Sequence, residues 1–107
     1  MDKTIKVIKE TIYDVSKEQK VKVNKIILFG SRARGEASQH SDWDVLVVVN
    51  ENLPFQKKRK LSSIIRKELA ELLIPCDIII KSEEEVEYFK DFIGSVVREA
   101  LKEGVPL

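Results

Sequence analysis

The chain has 107 residues, 43% hydrophobic and 35% charged, with a net charge of +1 and a single cysteine. Such a length buries roughly two-thirds of the unfolded surface and sustains one domain, residues 1–107, while near-balanced charge supplies no global basic field to draw it onto nucleic acid. One cysteine excludes an internal disulfide, and no apolar run approaches the roughly 20 residues of a membrane span, so the expected protein is soluble and cytoplasmic, without membrane or direct nucleic-acid contact.

The polar start Met1-Asp2-Lys3-Thr4 lacks a signal-peptide core and leads into Ile5, Ile8, Ile12 and Val15. That spacing predicts an amphipathic helix ending before Lys20. Val21–Lys25 leads into a buried strand, Ile26-Ile27-Leu28-Phe29, which Gly30-Ser31 end in a turn. The backbone N–H groups of such a turn can converge on an anion, with phosphate the obvious one, and Ser31 can cap it or donate its hydroxyl. A short helical turn follows. A second strand runs from Asp42 or Trp43 to Asn50 through Val45-Leu46-Val47-Val48-Val49.

Pro54 suits the opening of the next helix, whose buried face is read as Leu61, Ile64, Ile65, Leu69, Leu72 and Leu73. Pro75 ends it and introduces a third strand, with Asp77 at the mouth of an isoleucine run, Ile78-Ile79-Ile80. Ser82 is an N-cap, and Glu83, Glu84 and Glu85 sit favourably in a first helical turn. Val86, Phe89, Ile93, Val96, Val97 and Leu101 carry an apolar stripe onward, interrupted near Gly94, and Gly104 closes the last helix. These elements describe an α/β domain with a small mixed sheet flanked by helices.

Strand alternation turns Asp42 and Asp44 to one side and Trp43 to the other, towards core packing. Two carboxylates side by side repel unless a cation lies between them, and hard oxygen ligands suit Mg²⁺ held jointly with substrate phosphates. Asp77 has two readings: a buried carboxylate compensated by metal, or a solvated residue at the strand mouth. Arg32 can meet phosphate oxygens or pair with nearby acids, and Arg34 shapes the loop. His40 is a lone loop histidine, and Lys57-Lys58-Arg59-Lys60 are a solvated helix face.

Gly30-Ser31, Arg34-Gly35 and Ser41-Asp42-Trp43-Asp44, at this spacing, resemble the motif of the DNA polymerase beta-like nucleotidyltransferase superfamily, in its minimal nucleotidyltransferase (MNT) branch. The likeness covers nearly the whole chain. It implies the polymerase beta-like core, Asp42, Asp44 and Asp77 as catalytic metal ligands for two Mg²⁺ ions, and Gly30, Ser31 and Arg32 as nucleotide-binding residues, with ATP as substrate. It further implies an antitoxin that transfers AMP to a tyrosine hydroxyl of a cognate HEPN-domain toxin. Two alternatives stay open: nucleotidylation of a small molecule, as in aminoglycoside-modifying enzymes, and an antitoxin that acts by binding alone. A homo-oligomer also stays open. Tyr88, Phe89, Phe92 and the tail Gly104-Val105-Pro106-Leu107 offer docking material, with Phe89 expected to pack on the sheet.

Overall fold

The computed structural model describes residues 3–107, so the first two residues of the polar start lie outside the described region. Helix α1 (Lys3–Glu18) buries Ile8, Ile12 and Val15 along the predicted stripe. Strand β1 (Val23–Phe29) becomes fully buried from Ile26 onward and passes directly into a single helical turn, α2 (Gly30–Arg34). After an irregular loop come β2 (Trp43–Val49), α3 (Phe55–Glu71), β3 (Cys76–Ser82), α4 (Glu83–Phe89), α5 (Val96–Glu103) and a two-residue strand, β4 (Val105–Pro106).

The sheet order is β3-β2-β1-β4, with β2 and β3 parallel and the other two pairings antiparallel. Helices cover both faces, which is why β2 reads as an unbroken apolar run and not as an alternating one. On one face Ile26, Leu28, Val45, Val47, Ile78 and Ile80 pack with α1 and with Leu61, Ile65 and Leu69 of α3. On the other, Ile27, Phe29, Leu46 and Val48 pack with Val86 of α4 and with Val97 and Ala100 of α5. Trp43 joins the first of these clusters, as its parity requires. Asp44, two residues before Leu46, therefore belongs to the α4/α5 face.

Four expectations need correction. Leu72 and Leu73 are exposed, Leu73 by 89%, because α3 ends at Glu71 and the chain then reverses through a positive φ of 61° at Leu73. Ile93 and Leu101 are also exposed: Ile93 lies in the break between α4 and α5 that the sequence places near Gly94, and α5 turns Val97 and Ala100 inward. The tail is not free docking material: β4 pairs with Ile27 and Leu28, and the Leu107 N–H donates to the Ile26 carbonyl at 2.9 Å. Gly104 permits this return, because a Cβ there would overlap the Ala100 carbonyl and the Ile27 side chain. Finally, the Lys57–Lys60 run is not wholly solvated. Lys58 Nζ reaches the Glu85 carboxylate at 2.9 Å and ties α3 to α4.

Ser82 caps α4 as read. Its hydroxyl accepts from the Glu85 N–H at 3.0 Å, and the Glu85 carboxylate accepts from the Ser82 N–H at 3.0 Å, completing a reciprocal capping box. The outer β3 strand has one of its carbonyls, that of Ile78, satisfied by the Ser62 hydroxyl of α3 at 2.9 Å.

Candidate active site

The register of three strands brings the acidic residues to one end of the sheet. Phe29, the last residue of β1, lies opposite Asp44, and Asp44 lies opposite Asp77 across the parallel β2–β3 pairing. Asp42 precedes β2 and shares Asp44's parity. The strands that carry Asp44 and Asp77 are buried behind them, so these two carboxylates project from a packed base.

Gly30 is fitted to Asp44. It has a φ of 74°, and a Cβ built upon it would overlap the Asp44 carboxylate. Only glycine meets both demands, a left-handed backbone and an acid lying against its Cα. The N-cap position of α2 falls on Phe29, so Ser31 is not the cap; it stands in the first turn, half-buried. Its carbonyl receives the Gly35 N–H and, at 3.0 Å, that of Glu36, closing the turn.

The electrostatics centre on Asp44. Partial burial, then the charges of Asp77, Asp42 and Glu99, push its carboxyl above the usual aspartate value, while Arg34 opposes the shift. Asp42 and Asp77 are exposed. For Asp77 the argument from burial is therefore corrected: it is exposed at the strand mouth, where its charge raises the Asp44 carboxyl. Among the described residues, no group of three or more acidic, histidine or cysteine side chains is gathered so as to hold a metal ion. What the chain offers is an open set of carboxylate oxygens whose mutual repulsion a hard divalent cation would relieve, with substrate oxygens left to complete the coordination.

Both arginines of the motif bond groups of the protein itself. Arg32 Nε and Nη2 donate to the Ser41 carbonyl at 3.2 and 2.8 Å, and its guanidinium carbon lies 4.6 Å from the Trp43 ring centroid. Of the two readings for it, the pairing with a nearby acid is not seen among the described residues; the Ser41 carbonyl takes its donors instead. Arg34 bonds Glu36 at 2.9 Å and Glu103 at 3.0 Å, joining the turn to α5 and so shaping the loop as expected. His40 is an exposed loop residue. Cys76, opposite Trp43, is pushed up to about 12 by burial and by the charges of Asp42 and Asp44, which keeps it a neutral thiol.

Sequence reasoning missed Glu99 and Glu103. Both lie on α5, beside an open groove of about 440 Å³ lined by Gly94, Ser95, Arg98, Glu99, Lys102 and Glu103. No local pattern announces that α5 folds back over the β1–β2 end. The nearest sequence signal is the apolar spacing of Val97 and Ala100, which sets the buried side of that helix and hence the outer side bearing the acids.

Two Methanocaldococcus jannaschii proteins are similar in sequence. "Putative protein adenylyltransferase MJ0141" is 43% identical over 60 residues, covering 56% of this chain and 61% of that protein, so the match spans less than two-thirds of it. The MJ0604 protein of the same description is 31% identical over 99 residues, covering 92% of each chain. Among solved structures, a minimal nucleotidyltransferase, itself described as putative, superposes with a TM-score of 0.61 at 26% identity, over 100% of this chain and 97% of that one. A toxin-antitoxin with AMP-PNP gives a TM-score of 0.59 at 20% identity, covering 91% and 69%. The MNT antitoxin complex of a tri-AMPylated Shewanella oneidensis HEPN toxin gives 0.54 at 16% identity, covering 94% and 69%. A family model described as the nucleotidyltransferase domain matches residues 8–106, nearly the whole chain, and the protein therefore belongs to the nucleotidyltransferase domain family.

Proposed function

We propose that this chain is a single-domain protein adenylyltransferase of toxin-antitoxin type, transferring AMP from ATP to a tyrosine hydroxyl of a HEPN-domain toxin. The observation that carries the reading is the seating of the Asp44 carboxylate against Gly30, with Asp77 in register beside it. A turn suited to phosphate and a carboxylate set suited to a phosphate-bound cation thus meet at one point. The names of the curated relatives support protein as the acceptor class, and the toxin-antitoxin neighbours support the kind of partner.

Asp42, Asp44 and Asp77 would hold Mg²⁺, two ions in the arrangement this chemistry favours, which would offset the triphosphate's charge and polarise the phosphorus under attack. Gly30 and Ser31 would offer their backbone N–H groups at the start of α2 to the outer phosphates. The tyrosine oxygen then attacks the α-phosphorus, a new P–O bond forms, the α–β anhydride bond breaks, and pyrophosphate leaves with its electron pair. Asp77, exposed at the strand mouth, would help hold the second ion and so lower the proton affinity of the attacking hydroxyl.

Intact mass spectrometry tests this directly. The purified chain, ATP, Mg²⁺ and a HEPN protein encoded beside it should give an AMP-sized increase on the HEPN protein, absent with Asp42→Asn or Asp44→Asn. An unmodified partner that is nonetheless bound and inhibited would replace transfer with binding-only neutralisation, and label found on a small molecule would replace the protein acceptor.

A further inference from the structure

We propose that Arg32 is the positioning residue of the carboxylate set, a clamp that fixes the peptide unit from which Asp42 projects; the inference rests on the function proposed above. The Ser41 carbonyl belongs to the peptide joining Ser41 to Asp42. Two donors from one rigid guanidinium, at 3.2 and 2.8 Å, hold that oxygen from a single side. The same guanidinium lies over Trp43, 4.6 Å from the ring centroid, so residues on both sides of Asp42 are held by one side chain.

The rest of the loop gives Asp42 no comparable support from the fold. Arg32 aside, the hydrogen bonds seen for Ser38 and Ser41 among the described residues stay within the turn: the Ser41 N–H donates to the Ser38 carbonyl at 3.1 Å, and the Ser38 N–H donates to the Ser41 hydroxyl at 3.0 Å. Trp43 is anchored, being buried and donating its N–H to the Pro75 carbonyl at 2.9 Å. Asp42 is therefore the one carboxylate at the junction of a self-contained turn and a fixed strand, and Arg32 bridges that junction. Because Arg32 stands in α2, directly after the Gly30 turn, the clamp also couples the spacing between turn and carboxylates. A planar fork that bonds a carbonyl and stacks on a ring is a role that lysine's point charge does not reproduce.

Trp43 is the chain's sole tryptophan, so its fluorescence reads the stack without any assay of transfer. Arg32→Ala and Arg32→Lys should both alter Trp43 emission and increase its quenching by acrylamide. Calorimetric titration with Mn²⁺ alone should show affinity lowered about 10- to 100-fold in both, the range seen when groups orienting metal ligands are lost. In transfer assays kcat should fall by a similar factor while KM for ATP stays within about threefold. Should Arg32→Ala fail to fold, Arg32→Lys, which keeps the charge and most of the stem, decides the matter.

Wild-type Mn²⁺ affinity in a folded variant would overturn the clamp. So would a raised KM for ATP at unchanged kcat, which would make Arg32 a phosphate contact, or full function in Arg32→Lys. A wild-type chain that binds Mn²⁺ yet transfers no AMP would remove the proposed function and leave the Mn²⁺ and fluorescence arms to judge Arg32. A wild-type chain that binds no Mn²⁺ would overturn the clamp together with the metal reading beneath it.

Discussion

Asp44 carries a charge that the folded protein resists. Its carboxyl is raised above the ordinary value of 3.8 by burial first and then by Asp77, Asp42 and Glu99. An acid whose folded value is raised weakens the fold as pH climbs through the unfolded value, where the unfolded chain ionises first. Asp44→Asn should therefore melt higher than wild type at pH 7 without metal, and the gap should close below pH 3. Added Mg²⁺ should raise the wild-type melting temperature and leave that of the variant nearly unchanged, since only a ligand that binds the native state stabilises it. Scanning calorimetry at the two pH values, with and without Mg²⁺, checks both. Gly30→Ala should be far more damaging: the left-handed backbone alone costs about 1–3 kcal/mol, and the new methyl would displace the Asp44 carboxylate, abolishing transfer as well. Thermal melts together with the mass assay would reveal either effect missing. At this scale the sequence was legible where parity decides, as with Asp42, Asp44 and Trp43. It was silent on Glu99 and on the Ser41 carbonyl as the partner of Arg32, since both approaches are chosen by tertiary packing.

The elements were legible wherever apolar spacing outlasted a few turns. The first helix, the two long inner strands and α3 all fall where the pattern puts them. Errors cluster at ends, where spacing continues on paper after the hydrogen bonds have stopped: Leu72 and Leu73 beyond α3, and Ile93 inside the α4–α5 break. β4 has two residues, one of them Pro106, and no periodicity exists in so short a piece. The β3–α4 junction is the element boundary with the richest polar support. The Ser82 hydroxyl also donates to the Asn52 side chain, so it joins the cap to the loop after β2. Ser82→Ala should cost about 1 kcal/mol or somewhat more, read from urea denaturation. Glu85 gives the same junction a pH signature. Burial would raise its carboxyl, but the Ser82 N–H and the Lys58 ammonium outweigh burial and hold it below 4.5. Its stabilisation is thus complete above pH 4.5 and is lost as pH falls through the lowered value, a loss that Glu85→Gln should flatten.

Across the whole molecule, two apolar layers share one wall. Val45 through Val49 are all fully buried, alternating between the α1/α3 side and the α4/α5 side. Leu46→Ala should cost about 2–5 kcal/mol, a large share of the roughly 5–15 kcal/mol available to such a fold, and should lower the urea midpoint accordingly. The outer strand beside this wall has a peculiarity. Ile78, Ile79 and Ile80 are chemically identical, so sliding β3 by one position along β2 still sets isoleucine against both layers. Hydrophobicity cannot choose between those alignments; the polar ends can, through the Pro75 carbonyl held by Trp43 and the Ser82 cap held by Glu85. A single-step slip would also send Asp77 to the opposite side of the sheet. A refolded sample could then contain a silent isomer with native helix and strand content, an intact-looking core and no working site. For this protein, activity per molecule is a gauge of folding fidelity that circular dichroism is unable to replace.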